Sequence, residues 1–128
     1  NRSGYFNVEL IRPVAPFFFD DKKRSVCILA ATSILKILLP ERQINKKIYS
    51  SFEQMLFDLK SDNWIKLYIF WELSLIKELG FGDNLKIDSS GDIKKALAFN
   101  RNLLMENFII PNRLKFPLFR NILENYFI

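Results

Sequence analysis

The sequence predicts a mainly α-helical domain of about five helices, preceded by one β-strand. Apolar residues recur at helical spacing along most of the chain after residue 20, and proline or glycine separates the segments. In 128 residues, a hydrophobic content of 49% and an aromatic content of 15% suffice for one core. We therefore expect a single compact helical domain.

The first segment, Gly4 to Ile11, alternates apolar and polar residues with the period of two that is typical of a strand. Pro13 and Pro16 end it, because proline supplies no N–H to a sheet. A single strand needs partners, and two alternatives stay open. Its partners belong to a preceding region, or the strand packs on the helices.

The first helix is predicted over Lys22 to Leu39, with Asp20 or Asp21 as its N-cap and Pro40 as its end. Its apolar residues cover nearly the whole circumference, which indicates a central helix.

Asn45 is the expected cap of a second helix, and Trp64 to Leu79 form a third, heavily apolar one. Gly80 ends this helix in the left-handed conformation. The apolar stripe of the second helix is Ile48, Phe52, Met55, Leu56 and Leu59.

Ser89 or Asp92 starts a fourth helix, a turn follows at Pro111-Asn112, and Pro117 suits the first position of a last helix. The apolar residues at helical spacing are Ile93, Ala96, Leu97, Leu103, Leu104 and Phe108, then Leu118, Phe119, Ile122, Leu123 and Tyr126.

Residue usage excludes several chemistries. Cys27 is the single cysteine and there is no histidine, so we expect no disulfide, no Ser/His or Cys/His pair and no structural zinc. The sequence shows no phosphate loop and no convincing nucleophile, so we expect no enzyme, no metal and no cofactor. The apolar run Val26 to Leu39 is too short and too interrupted for a membrane span. Together with the lone cysteine, this favours a cytoplasmic protein that contacts neither a membrane nor a small-molecule substrate.

The net charge of +5 admits two interpretations: the Lys-rich bias of an A+T-rich genome, or an anionic partner. Residues 1–60 hold 10 basic and 6 acidic groups, residues 61–90 hold 3 and 5, and residues 91–128 hold 6 and 3. If the two ends fold together, one basic face meets phosphate or an acidic peptide.

Four segments in this order resemble the RecO family of bacterial DNA-repair proteins. Gly4–Glu9 resembles the last strand of that family's N-terminal OB-fold, and Leu39-Pro40-Glu41-Arg42 resembles its Leu-Pro-Glu-Arg turn. Trp71–Phe81 is similar to the end of one of its helices, and Arg101 with Pro117 and Arg120 to its C-terminal helix pair. The resemblance implies that residues 1–16 are the residual strand and linker of a truncated OB-fold and that residues 17–128 are the helical domain.

What the resemblance implies about function is an accessory role in DNA repair and homologous recombination. The role is single-strand annealing and recombinase loading by a cytoplasmic, nucleoid-associated protein. The resemblance implies three kinds of partner. These are RecR, the acidic C-terminal tail of the single-strand DNA-binding protein, and single- and double-stranded DNA. The chain departs from the family by lacking most of the OB-fold and by a short segment, residues 82–91, where many relatives carry zinc cysteines. The alternative is a purely structural or protein-interaction helical domain with no DNA role.

The predicted tail-binding site combines two cations with an apolar pocket. Lys36 is the only charge inside the first helix after its amino end, and Arg42 follows in the turn. The two clamp the tail's carboxylates, while its apolar end enters a pocket among Leu39, Tyr49 and Phe52. In the alternative interpretation, Lys36 pairs with Glu53 or Asp58 and Arg42 fixes the turn with Glu41.

Two basic groups are candidate DNA contacts. Lys22, Lys23 and Arg24 begin the first helix, where cations oppose the helix dipole and local stability does not explain them. The second group surrounds the last turn: Arg101, Arg113, Lys115 and Arg120. The alternative for this second group is a solvated face or pairing with Glu106 and Glu124. The spacing of Trp64, Tyr68 and Trp71 favours core packing over base stacking.

Overall fold

The structure, a computed structural model, describes residues 21–39, 45–81 and 92–128. This part of the chain is mainly helical, as predicted. The predicted strand Gly4–Ile11, the residual OB-fold segment 1–16 and Arg42 lie outside the described residues. The helices are α1 (Lys22–Leu38), α2 (Lys46–Asp58), α3 (Trp64–Glu78), α4 (Ile93–Leu104), which continues as a π-helical turn (Met105–Ile109), and α5 (Leu118–Asn125).

Side chains cap three of the five helices at the residues that the sequence indicated. Asp21 accepts a hydrogen bond from the Arg24 N–H at 3.1 Å, and Asn45 accepts one from the Ile48 N–H at 3.0 Å. Asp92, rather than Ser89, caps α4 by accepting from the Lys95 N–H at 3.1 Å. Each cap satisfies an amide that the first turn of a helix leaves without a partner.

The two most apolar helices, α1 and α3, form the centre of the fold. Helix α3 is flanked by α2 and α4 and also contacts α1, while α1 packs chiefly on α5. Lys23 in the first turn of α1 lies against Tyr126 and Phe127, just after α5 ends, so α1 and α5 run antiparallel. Along the described segments, no helix is long and apolar enough to cross a membrane.

The aromatic residues of α3 belong to the core, as their spacing predicted. Trp64, Tyr68 and Trp71 are all buried. The Trp71 ring lies 5.7 Å from the Tyr68 ring and 5.9 Å from the Phe52 ring of α2, so it joins the two helices. Edge-to-face and tilted ring pairs of this kind add to the stabilisation from apolar burial. The rings of Trp64, Tyr68 and Trp71 are therefore not available for stacking on bases.

Helix α3 and the π-helical turn end in the same way but with different residues. After α3, Gly80 has φ +93°, and the Phe81 N–H bonds to the Ile76 carbonyl at 3.2 Å. After the π-helical turn, Arg113 has φ 54°, and the Leu114 N–H bonds to the Ile109 carbonyl at 2.9 Å. Both are left-handed helix ends, a conformation that costs an L-residue about 1–2 kcal/mol and glycine almost nothing.

Replacing Arg113 with glycine should stabilise the fold. Because the left-handed strain disappears, we expect Arg113→Gly to raise the free energy of unfolding by up to about 1 kcal/mol in urea titrations. Lys115→Gly is the matched control, since Lys115 does not have a positive φ. It should lower the free energy of unfolding, because glycine there only adds freedom to the unfolded chain. Equal effects of the two substitutions would contradict this explanation.

Candidate functional site

Four of the predicted tail-binding residues are among those that the structure describes, and they lie at the end of α1 and in the first half of α2. Lys36 is exposed in the last turn of α1, and Tyr49 is 37% exposed on α2. Leu39 and Phe52 are buried, so they support this surface from below instead of lining an open pocket. Within the described ranges Lys36 forms no ion pair, so neither predicted partner, Glu53 or Asp58, is bound to it.

A local reason for Lys36 is its place in the helix. A cation in the last turn meets the negative end of the helix dipole, which stabilises the helix by about 0.3–1 kcal/mol. The side chain reaches solvent from a helix that is otherwise buried around most of its circumference. Lys36 is therefore an accessible cation at the carboxyl end of α1.

At the amino end of α1, the three basic residues have different surroundings. The Arg24 Nε donates to the Leu59 carbonyl at 2.6 Å, and a second guanidinium nitrogen donates to the Ser61 carbonyl at 3.1 Å. Arg24 also pairs with the Asp21 carboxylate. Burial alone would raise the pKa of Asp21, but the hydrogen bonds and charge of Arg24 lower this pKa overall. Arg24 thus ties α1 to the loop after α2, whereas Lys22 and Lys23 are exposed.

The predicted group at the last turn is divided between surface and interior. Arg113 and Lys115 are exposed. Arg101 is partly exposed, and its guanidinium donates to the Asn121 side chain at 2.5 Å and lies 3.2 Å from a Glu124 carboxylate oxygen. Arg120 is fully buried. Arg101 and Arg120 both pair with Glu124, as the alternative interpretation of this group stated, so these two arginines do not form a phosphate-facing surface.

The Arg120 guanidinium is the centre of a buried polar cluster. Its Nε and one terminal nitrogen each donate to a different oxygen of Glu72, both at 2.8 Å. The other terminal nitrogen donates to Glu124 at 3.0 Å, and the first also reaches the Leu97 carbonyl at 3.1 Å. The Tyr68 hydroxyl donates to Glu72 at 2.7 Å. Every charge in this cluster is paired, which is the condition for keeping charges in a protein interior.

Sequence reasoning missed Glu72 and Tyr68 as members of this cluster. The signal was present, because Glu72 is the only acid between Trp64 and Lys77 on a heavily apolar helix, and Tyr68 stands one turn before it. A charge in such a position must reach solvent or find a buried partner. The sequence did not identify Arg120 as that partner, since 48 residues separate it from Glu72.

The cluster also changes the protonation of nearby groups. Burial, reinforced by the negative charge of Glu72, raises the pKa of Cys27 well above its ordinary value of 9.0, while Arg120 opposes this. The same causes raise the pKa of Tyr68 well above 10.0. Burial alone would lower the pKa of Arg120, but the Glu72 carboxylate raises it overall, so the guanidinium stays charged. None of these groups is placed as a nucleophile or general base.

Four of the accessible cations form two separate groups, one beyond each end of α5. Lys23 lies beside residues 126 and 127, after the end of α5, and Lys22 precedes it in the chain, while Arg113 and Lys115 precede the start of α5 at Leu118. An eight-residue helix spans about 12 Å, so the groups are further apart than adjacent phosphates. Among the described residues, no group of three or more Cys, Asp or Glu side chains could hold a metal ion.

The fold and these surfaces define a helical domain in which a buried arginine–carboxylate cluster joins α3, α4 and α5. Accessible cations lie beyond both ends of α5. The family described as Recombination protein O C terminal matches residues 20–91, which include α1, α2 and α3. The chain belongs to this family.

Full-length relatives agree with this assignment. The chain is 33% identical over 98 residues to the DNA repair protein RecO of Wolbachia sp. subsp. Drosophila simulans (strain wRi), covering 75% of this chain and 41% of that protein. It is 32% identical over 98 residues to the DNA repair protein RecO of Ehrlichia chaffeensis, covering 75% and 40% respectively. The chain therefore spans about two fifths of the length of these relatives. No solved structure matches it.

Removing the Arg120 guanidinium should be among the most damaging single changes to the fold. Arg120→Met leaves the Glu72 carboxylate buried without its main partner, so we expect the free energy of unfolding to fall by about 3–5 kcal/mol. Lys47→Met is the matched control, since the ion pair of Lys47 with Glu78 is exposed, and it should cost less than about 1 kcal/mol. Adding Glu72→Gln to Arg120→Met should restore part of the stability, and a double variant no more stable than Arg120→Met would contradict this.

The free energy of unfolding should also fall at alkaline pH. The unfolded chain loses the Cys27 and Tyr68 protons near their ordinary pKa values, while the folded protein keeps them. The unfolded state then binds fewer protons, so the free energy of unfolding decreases as pH rises above about 9. Urea titrations from about pH 8 to about pH 11 should show this decrease, and Cys27→Ala and Tyr68→Phe should each make it less steep. If the free energy of unfolding fell equally steeply with pH in both variants, Cys27 and Tyr68 would not be the groups responsible.

Proposed function

We propose that this chain is the helical part of a DNA repair and recombination accessory protein of the RecO type. It assists single-strand annealing and recombinase loading by contacting DNA, RecR and the acidic tail of the single-strand DNA-binding protein. The observation that carries the proposal is the family match over α1 to α3, together with relatives named DNA repair proteins.

The DNA contacts in this proposal are the accessible cations. Lys22 and Lys23 beyond one end of α5, and Arg113 and Lys115 before the other, neutralise backbone phosphates. Arg24 and Arg101 do not contact phosphate directly in this proposal, since both are bonded to groups of the protein itself. They position the neighbouring cations. Arg120 is left out, because it is buried.

The tail contacts are at the junction of α1 and α2. Lys36 supplies an accessible ammonium for the tail's carboxylates, with Arg42 as the second cation. The exposed part of the Tyr49 ring contacts the apolar end of the tail, supported by Leu39 and Phe52 beneath. A compact ammonium and a guanidinium together suit a peptide that carries several carboxylates.

A peptide titration tests this function. The 128-residue chain is added to a fluorescently labelled, acidic, Phe-terminated tail peptide of a bacterial single-strand DNA-binding protein, and anisotropy is followed. We expect saturable micromolar binding, weakened about tenfold or more by Lys36→Glu, because the substitution replaces attraction with repulsion.

The matched control is Lys77→Glu. Lys77 stands in the last turn of α3, as Lys36 does in α1, so both changes oppose a helix dipole to a similar extent. The affinity for the tail peptide should be unchanged by Lys77→Glu. Equally weakened binding in the two variants would assign the effect to helix stability, and the absence of binding by the folded chain would reject the tail-binding role.

A further inference from the structure

One end of the domain combines exposed lysines with exposed aromatic rings. This amino-end surface consists of Lys22, Lys23, Lys60, Phe57 and Tyr126. The Lys23 Nζ lies 5.8 Å from the centre of the Tyr126 ring, and the Lys60 Nζ lies 5.0 Å from the centre of the Phe57 ring. Phe57 is 63% exposed and Tyr126 is 37% exposed.

The two lysine–aromatic pairs lie at the same end of the domain because contacts of α1 and α3 relate them. Arg24 reaches back to the carbonyls of Leu59 and Ser61, which flank Lys60. Its guanidinium also lies 5.3 Å from the centre of the Trp64 ring, and that ring lies 6.1 Å from Phe127. Phe127 is next to Tyr126 and also contacts Lys23. These contacts, which pass through the buried Trp64 ring, place both lysine–aromatic pairs at the amino end of α1.

The charge of this surface is positive although acids are present. Three lysines contribute, and Asp62 is an exposed acid in the loop beside Lys60. Asp21 is paired with Arg24, whereas Asp58 accepts a hydrogen bond from the neutral Gln54 amide and keeps its negative charge. The three lysines therefore exceed Asp58 and Asp62 by one charge. Lys22 and Lys23 stand at the positive end of the α1 dipole, where cations reduce helix stability. Helix stability thus gives no reason for them there, whereas an anionic partner does.

We propose that the amino-end surface binds single-stranded nucleic acid, with Tyr126 and Phe57 stacking on bases and the lysines neutralising the adjacent phosphates. The inference rests on the proposed DNA role and adds Lys60, Phe57 and Tyr126 to the residues that contact a single strand. Aromatic platforms beside cations are the chemistry by which proteins hold single strands without reading their sequence.

The aromatic rings favour a single strand over the other polyanions. In a duplex the base faces are already stacked on one another, so only the lysines would contribute. An acidic peptide supplies carboxylates but no regular series of π-faces. Exposed rings at both lysines therefore indicate a ligand that carries a ring and a charge in each repeating unit.

The test measures binding of a labelled oligothymidine of about 20 nucleotides to the whole 128-residue chain at several salt concentrations. Tyr126→Leu with Phe57→Leu removes the rings and keeps apolar side chains, so the dissociation constant should rise about fivefold or more. Lys23→Ala with Lys60→Ala should reduce the slope of log affinity against log salt by about 0.7 for each phosphate that the protein no longer neutralises.

The controls use matched residues elsewhere. Phe70→Leu with Phe99→Leu changes two other exposed rings, and Lys94→Ala with Lys95→Ala removes two other exposed lysines. Both should leave oligothymidine binding within about twofold, which is below the effect of one stacked base. An abasic oligonucleotide of equal length should bind more weakly than oligothymidine and respond little to removal of the rings.

Three outcomes would overturn the proposal: no binding by the folded chain, equal affinity for the abasic strand, or equal effects of the test and control pairs. Binding that is abolished instead in Arg113→Ala with Lys115→Ala would reject this surface and leave the general DNA role standing. The tail-peptide titration depends on Lys36, outside this surface, so its failure is separate. If circular dichroism shows that the Leu double variant is unfolded, the salt dependence of binding by Lys23→Ala with Lys60→Ala still tests the proposal.

Discussion

A single guanidinium joins three helices of this domain. Arg120 of α5 binds both carboxylate oxygens of Glu72 on α3 and the backbone carbonyl of Leu97 on α4. A planar group with five fixed donors accepts few arrangements of partners, so these bonds set the position of α5 along its neighbours. A buried charge without such partners costs about 3–5 kcal/mol, a large fraction of the free energy of unfolding of a domain of this size. The position of α5 relative to α3 and α4 therefore depends on this one interaction.

The positions of the candidate binding residues around α5 depend on that interaction. Because Arg120 fixes α5, Tyr126 is held beside Lys23 at one end of α1, and Arg113 and Lys115 emerge beyond the opposite end of α5. None of these four residues contacts the buried cluster in the part of the chain described. Arg120 is consequently buried and Arg113 exposed, although the two looked alike as members of a basic sequence segment.

The sequence was sufficient to predict the helices, because their determinants are local. The caps Asp21, Asn45 and Asp92 bond to amides three residues away, and Gly80 has the left-handed conformation that its position indicated. The π-helical turn after α4 was not predicted. There the Ile110 N–H bonds to the carbonyl of Met105, five residues back, and side-chain amides of asparagines bond to neighbouring carbonyls. Such a pattern leaves the apolar spacing almost unchanged, so periodicity does not reveal it.

The site was harder to predict, because one sequence signal has two structural outcomes. Lys36 and Glu72 are each an isolated charge in an apolar helix, yet Lys36 is exposed and Glu72 is buried. A lysine has a long apolar stem and can carry its charge to solvent from a helix that is largely buried. A glutamate is shorter, and in the middle of α3 it needs a cation from another helix. Only the fold shows that Arg120 fulfils this need, which is why a residue predicted to meet phosphate instead neutralises a carboxylate in the core.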